Sequence, residues 1–134
     1  MPSYLLDTNI LIAAINGQKL VRDRLQNLQR GEIALSPIVL GELVTGVHKS
    51  RQQVRNQDAL TAVVRHIDLL PLDQQTAEHY GRIRAALEKK GTIIGANDLW
   101  IAAQARANGL VLVSNNTREF QRVPKLNLED WLTL

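Results

Sequence analysis

Short, continuous apolar runs alternate along this chain with longer stretches of helical period. The runs are Tyr4-Leu5-Leu6, Ile33-Ala34-Leu35, Ile67 to Leu70, Leu110 to Val113 and Leu126 to Leu128. The unbroken ones, Tyr4-Leu5-Leu6, Ile33-Ala34-Leu35 and Leu110 to Val113, read as strands covered on both faces, as in parallel sheets, and the other two as further short strands. The intervening stretches read as helices. Ile10, Leu11, Ala13 and Ala14 follow Thr8 and Asn9, read here as the cap, and Gly17 stops them. Leu20 to Gln29 has helical spacing at Leu20, Val21, Leu25 and Leu28. Ser36 then Pro37 opens a helix with the stripe Val39, Leu40, Leu43, Val44 and Val47. Arg51 to His66 is another helix, with Leu60, Val63 and Val64 inward. Asp73 caps a long helix that Gly91 ends, with Lys89 and Lys90 favouring its C-terminal dipole. Asn97 is read as the cap of a helix through Ala107, ended by Asn108-Gly109. Strands alternating with helices predict an α/β fold: a three-layer α/β/α sandwich on a short parallel sheet.

Composition sets the bounds. A chain of 134 residues, 45% of them apolar, suits a single domain over residues 1–134. Cysteine is absent, which excludes disulfides, thiolate metal sites and Cys nucleophiles. No apolar run reaches the ~18 residues of a membrane span. No basic segment followed by a long apolar one opens the chain, so no signal peptide and no membrane contact are expected. A cytoplasmic protein is the expectation. Sixteen Lys and Arg oppose thirteen Asp and Glu, a net charge of +3 that permits nucleic-acid contact without requiring it. Only five aromatics are present, too few for a base-stacking platform. His48, His66 and His79 fall on different helices without ligand spacing. Trp100 and Trp131 read as packing residues.

In such sheets ligands bind beyond the carboxyl ends of the strands, where the strand order reverses. Asp7-Thr8-Asn9 follows the first strand, and Ser114 to Glu119 follows the clearest one as a turn with a short helix. Two further acids stand where a carboxylate is costly. Asp98 shares a helical face with Ile101, Ala102 and Ala105, and Glu42 borders the stripe of Val39 and Leu43. Each has a plain reading: Asp7 as a cap, Asp98 as a dipole partner, Glu42 as half of an ion pair, Glu119 as a turn residue. Taken together, Asp7, Glu42 and Asp98 have no evident partner nearby in sequence. Several carboxylates with no His or Cys select a hard cation, Mg2+ or Mn2+, and with it phosphodiester hydrolysis. Thr8 and Asn9 are placed to orient water or a phosphate oxygen. Arg84, Lys89, Lys90, Arg118 and Arg122 are the basic candidates for holding a polyanion.

Leu5-Leu6-Asp7-Thr8-Asn9-Ile10, Gly41-Glu42-Leu43, Asn97-Asp98-Leu99-Trp100-Ile101-Ala102-Ala103, Leu112 to Phe120 and the closing Leu128-Glu129-Asp130-Trp131 occur in that order. In this order they resemble the PIN-domain ribonucleases, and more narrowly the VapC toxins of bacterial type II toxin–antitoxin systems. The resemblance runs from residue 3 to the end. It implies a PIN-like fold and magnesium-dependent RNA cleavage. It assigns the metal and its water to Asp7, Glu42 and Asp98, with Glu119 as the fourth catalytic acid. Many PIN domains carry Asp where this chain has Asn116, which leaves Asn116 a supporting role with Thr8 and Asn9. The resemblance further implies a VapB-type antitoxin covering the acidic groove, a homodimer, and operator DNA reached only through the antitoxin. It favours tRNA as substrate, in particular the anticodon loop of initiator tRNA. Two other classes stand beside it: a receiver-like phosphoacceptor domain, and a catalytically dead nucleic-acid-binding module.

Overall fold

The structure, a computed structural model, describes residues 2–133. In chain order the elements are β1 (Tyr4–Leu6), α1 (Thr8–Ile15), α2 (Lys19–Gln26), β2 (Ile33–Leu35), α3 (Pro37–Lys49), α4 (Gln53–Val64), β3 (Asp68–Leu69), α5 (Gln74–Lys90), α6 (Ala96–Ala107), β4 (Val111–Val113), α7 (Thr117–Phe120) and β5 (Asn127–Glu129). The strands form one sheet in the order β3-β2-β1-β4-β5. Every neighbouring pair is parallel. Helices flank the sheet as expected for a three-layer α/β/α sandwich. Right-handed crossovers send α1 to α4 and the α5–α6 pair to opposite faces. The close packing of α5 on α6, and of α1 on α2, α3 and α4, matches that division.

A receiver-like sheet would run in the order 2-1-3-4-5. Here β1 sits between β2 and β4, so the chain leaves β1 in one direction and returns on its other side. The switch point lies between β1 and β4, with Leu6 paired to Val113. Both strands end there, and their polar followers open on one edge.

The central strands β1, β2 and β4 are covered as their apolar runs require, whereas β3 and β5 at the edges are not. Leu5, Leu6, Leu112 and Val113 are fully buried, with Ile101, Ala102 and Ala105 of α6 packed into the same core. Ser36 caps α3, its Oγ accepting from Ile38 N at 3.1 Å. Asp73 caps α5, accepting from Thr76 N and Thr76 Oγ1. Gly91 ends α5 at φ 68, a left-handed conformation that favours glycine.

Several boundaries differ from the sequence reading. The cap of α1 is Asp7, not Thr8 or Asn9, because the Asp7 carboxylate accepts from Thr8 N. The cap of α6 is Gly95, not Asn97: Leu99 N bonds Gly95 O, which starts the helix two residues earlier. β3 shortens to two exposed residues because it is an edge strand paired only with β2. α4 begins at Gln53, since Gln52 supplies no side-chain cap.

Ile101 carries the packing of α6, and hence the placement of Asp98, against the sheet. We expect Ile101→Ala to destabilise the fold by ~2–5 kcal/mol, the usual range for emptying a buried Ile site. Denaturant melting checks this, and a loss below ~1 kcal/mol would place α6 outside the core.

Candidate active site

Four elements bring one acid each to the same edge of the sheet. Asp7 is buried at the end of β1, where it caps α1. Glu42 is half-buried on α3, Asp98 half-buried in the first turn of α6, and Glu119 half-buried on α7. Their mutual field is felt most at Asp98. Its pKa is raised to about 7, first by burial, then by a hydrogen bond with Glu119 and the negative charges of Asp7, Glu119 and Glu42. Carboxylates shift upward in this way when desolvated beside like charges. Among the described residues, none of the four acids is in an ion pair with Lys or Arg.

A connected run of donors orders them. Thr8 Oγ1 donates to Glu42 Oε2 at 3.2 Å. Thr8 N donates to Asp7 Oδ1 at 2.8 Å, and Ser114 Oγ donates to Asp7 Oδ2 at 2.7 Å. Ser114 Oγ also accepts from Asn116 N at 3.0 Å. Asn116 Nδ2 donates to Glu119 Oε2 at 3.1 Å and, by a longer arm, to Asp98 Oδ2 at 3.4 Å. Hydroxyl, backbone and amide groups thus link Glu42, Asp7, Asp98 and Glu119 in one network. On the rim, Asn9 Nδ2 donates to Asn115 Oδ1 at 3.2 Å.

Ser114 and Asn115 are the residues sequence reasoning left without a role. Ser114 is fully buried at the strand end, and its only sequence signal was its place directly after the clearest strand. The basic candidates are less gathered. Arg84 is committed to its own helix, donating to Glu88 and to the Tyr80 hydroxyl. Lys89 and Lys90 are exposed on the last turn of α5. Arg118 is exposed and shares α7 with Glu119. Arg122 donates to Ile93 O at 3.3 Å, bracing the loop before α6.

Beside the acids lies an open cleft of ≈ 420 Å³ lined by Glu42, Gly95, Ala96, Asn97 and Asp98. An apolar groove of ≈ 290 Å³ between α1, α3 and α4 also reaches Glu42. Among the described residues no three or more His, Cys, Asp or Glu are placed so that together they could hold a metal ion. The donor chemistry nonetheless fits a hard cation. Every candidate ligand is an oxygen, and Mg2+ is commonly held by one or two carboxylates with waters completing its shell.

The PIN-domain family model matches residues 4–126. The chain belongs to the PIN-domain family. Within it, the chain is 44% identical over 132 residues to the tRNA(fMet)-specific endonuclease VapC of Shigella flexneri, spanning 98% of this chain and 99% of that one. It is 41% identical to the ribonuclease VapC2 of Haemophilus influenzae, spanning 98% and 100%. Solved PIN domains superpose closely. The DNA-bound VapBC of Salmonella typhimurium gives a TM-score of 0.92 at 40% identity, covering 98% of this chain and 99% of that one. VapBC2 of Rickettsia felis, bound to a promoter DNA fragment, gives 0.90 at 42% identity, covering 96% and 98%. Both the PIN resemblance and the expected sandwich therefore stand, and the receiver-like alternative falls on strand order and family alike.

The raised Asp98 pKa fixes a pH dependence. Between the ordinary aspartate value of 3.8 and about 7, the folded PIN domain keeps a proton that the unfolded chain has released. Its stability therefore falls as pH rises through that window. In EDTA we expect the wild type to lose more melting temperature between pH 5 and pH 8 than Asp98→Asn, by ~3 °C or more. Identical pH slopes for the two proteins would show that Asp98 does not carry the effect.

Proposed function

We propose that this PIN domain is a Mg2+-dependent endoribonuclease acting as the toxin of a VapBC-type pair. The carrying observation is the set of four carboxylates gathered on one edge without a basic partner, in a chain so similar to named VapC ribonucleases. Such a set repels phosphate unless a cation stands between them.

Asp7, Glu42 and Asp98 are the proposed metal ligands, with Mg2+ as the ion and Mn2+ able to substitute. When bound, the ion activates water and neutralises charge developing on the phosphoryl group. The chain's own groups do the rest. Ser114 and the backbone of Thr8 fix both oxygens of Asp7, and the Thr8 hydroxyl fixes Glu42. Glu119, hydrogen-bonded with Asp98, supplies a proton acceptor inside the cleft. Arg118, with Lys89 and Lys90, takes phosphates along the flank, and Arg84 joins them only by leaving Glu88.

The proposed substrate is tRNA, favoured at the initiator anticodon loop, in line with the name of the Shigella flexneri relative. Loops suit an open cleft because their unstacked strands reach the acids without melting a duplex. The proposed partner is a VapB-type antitoxin. Its relatives are found in VapBC complexes, and the apolar groove leading to Glu42 suits an amphipathic segment. A cytoplasmic homodimer that meets operator DNA only through that antitoxin completes the proposal.

Purified protein should cut tRNA with Mg2+ and stop in EDTA. Asp7→Asn and Asp98→Asn should each lower the cleavage rate by ~10²-fold or more while melting as folded proteins. Undiminished cutting in EDTA, or by both variants, would overturn the assignment.

A further inference from the structure

We propose that Asn116 stands in for the cation: in the ion-free protein its side-chain amide holds Asp98 and Glu119 together, and it yields them when a divalent ion arrives. The inference rests on the cleft being a cation site and deepens that reading. It is a positioning role, acting through the two acids.

Three features of the fold carry it. First, Asn116 sits at the N-cap position of α7, where Asn normally turns its side-chain oxygen onto a backbone N–H. It makes no such cap bond. Its amide instead donates to Glu119 Oε2 at 3.1 Å and Asp98 Oδ2 at 3.4 Å. The cap has been given up to serve the acids. Second, an Asn amide has two N–H groups, one for each carboxylate, and no charge. It can order the two acids but cannot neutralise them, so their mutual repulsion remains for an ion to relieve. Third, the amide is anchored. Asn116 N donates to the fully buried Ser114 Oγ, which itself donates to Asp7. A displaced Asn116 side chain would therefore leave its backbone, and the link to Asp7, in place. A cation held by Asp98, beside Glu119, offers both acids what the amide offers together with full charge, and takes its place.

The test uses the whole chain in EDTA and with Mn2+ as the probe ion, read by thermal melting and titration calorimetry. In EDTA, Asn116→Ala and Asn116→Asp should both melt ~3 °C or more below wild type, Asn116→Asp lower because it adds a fifth carboxylate. Saturating Mn2+ should close the gap for both, since the ion supplies what the amide did. Asn116→Asp should also bind Mn2+ tighter by ~10-fold or more. A residue that only shaped the turn would leave a deficit that Mn2+ does not repair. That result, or variants that melt with wild type in EDTA, would overturn the role of Asn116 alone. A wild type that gives no heat with Mn2+ would overturn the cation reading and the stand-in with it.

Discussion

Negative charge gathered at the carboxyl edge of the sheet is the constraint around which the rest is arranged. Bringing Asp7, Glu42, Asp98 and Glu119 together opposes folding, because each is partly withdrawn from water beside others of its sign. None of the four is neutralised by Lys or Arg among the described residues, although the chain has more basic than acidic residues. Lys19, Arg24, Arg82 and Arg84 instead pair with Asp23, Glu129, Glu78 and Glu88. What stabilises the cluster is neutral: two hydroxyls, one amide, and the backbone N–H groups where α1 and α7 begin. Helix N-termini also favour nearby negative charge, and Asp7 and Asp98 each occupy one.

Topology explains how residues so far apart meet. Asp7 and Ser114 are separated by 107 positions, yet they are neighbours because β1 and β4 are adjacent and end in register at Leu6 and Val113. Along the chain β2 and β3 lie on one side of β1, and α5 and α6 lead back to β4 on its other side. The half of the site on α6 and α7 therefore flanks β4 in sequence. The interior beneath the site is built largely from apolar side chains, among them Leu5, Leu6, Ile101, Leu112 and Val113. A floor of this kind lets the acids sit on fixed elements, Asp7 at the end of β1 and Glu42, Asp98 and Glu119 on α3, α6 and α7, rather than on long loops.

Much of this could be read in the residues, for identifiable reasons. Continuous apolar runs reported strands covered on both sides, and Ser36-Pro37 and Asp73 reported helix starts, because capping chemistry is local. Asp98 and Glu42 were visible as carboxylates in expensive places, Asp7 by its position after a strand, and Glu119 through the family resemblance. The caps of α1 and α6 were less legible. Asp7 serves as cap and site residue at once, and Gly95 caps α6 through backbone alone, with no side-chain signature to find. Ser114 escaped for a related reason. A buried serine after a strand is chemically unremarkable until the tertiary structure sets Asp7 beside it. The edge strand was overread because the apolar character of Ile67 and Leu70 says nothing of how few partners β3 would have.

The same network explains why the site tolerates its own charge without collapsing into salt bridges. An Arg seated among these acids would cancel part of their charge, as neutral donors do not. Uncharged donors hold the carboxylates in place while leaving most of their field intact. Thr8, Ser114 and Asn116 are all of this type, each short, each anchored at the start of a helix or the end of a strand. Short side chains on fixed backbone lose little freedom in holding a carboxylate. The result is a cleft whose acids are held in place by neutral groups and keep their charge.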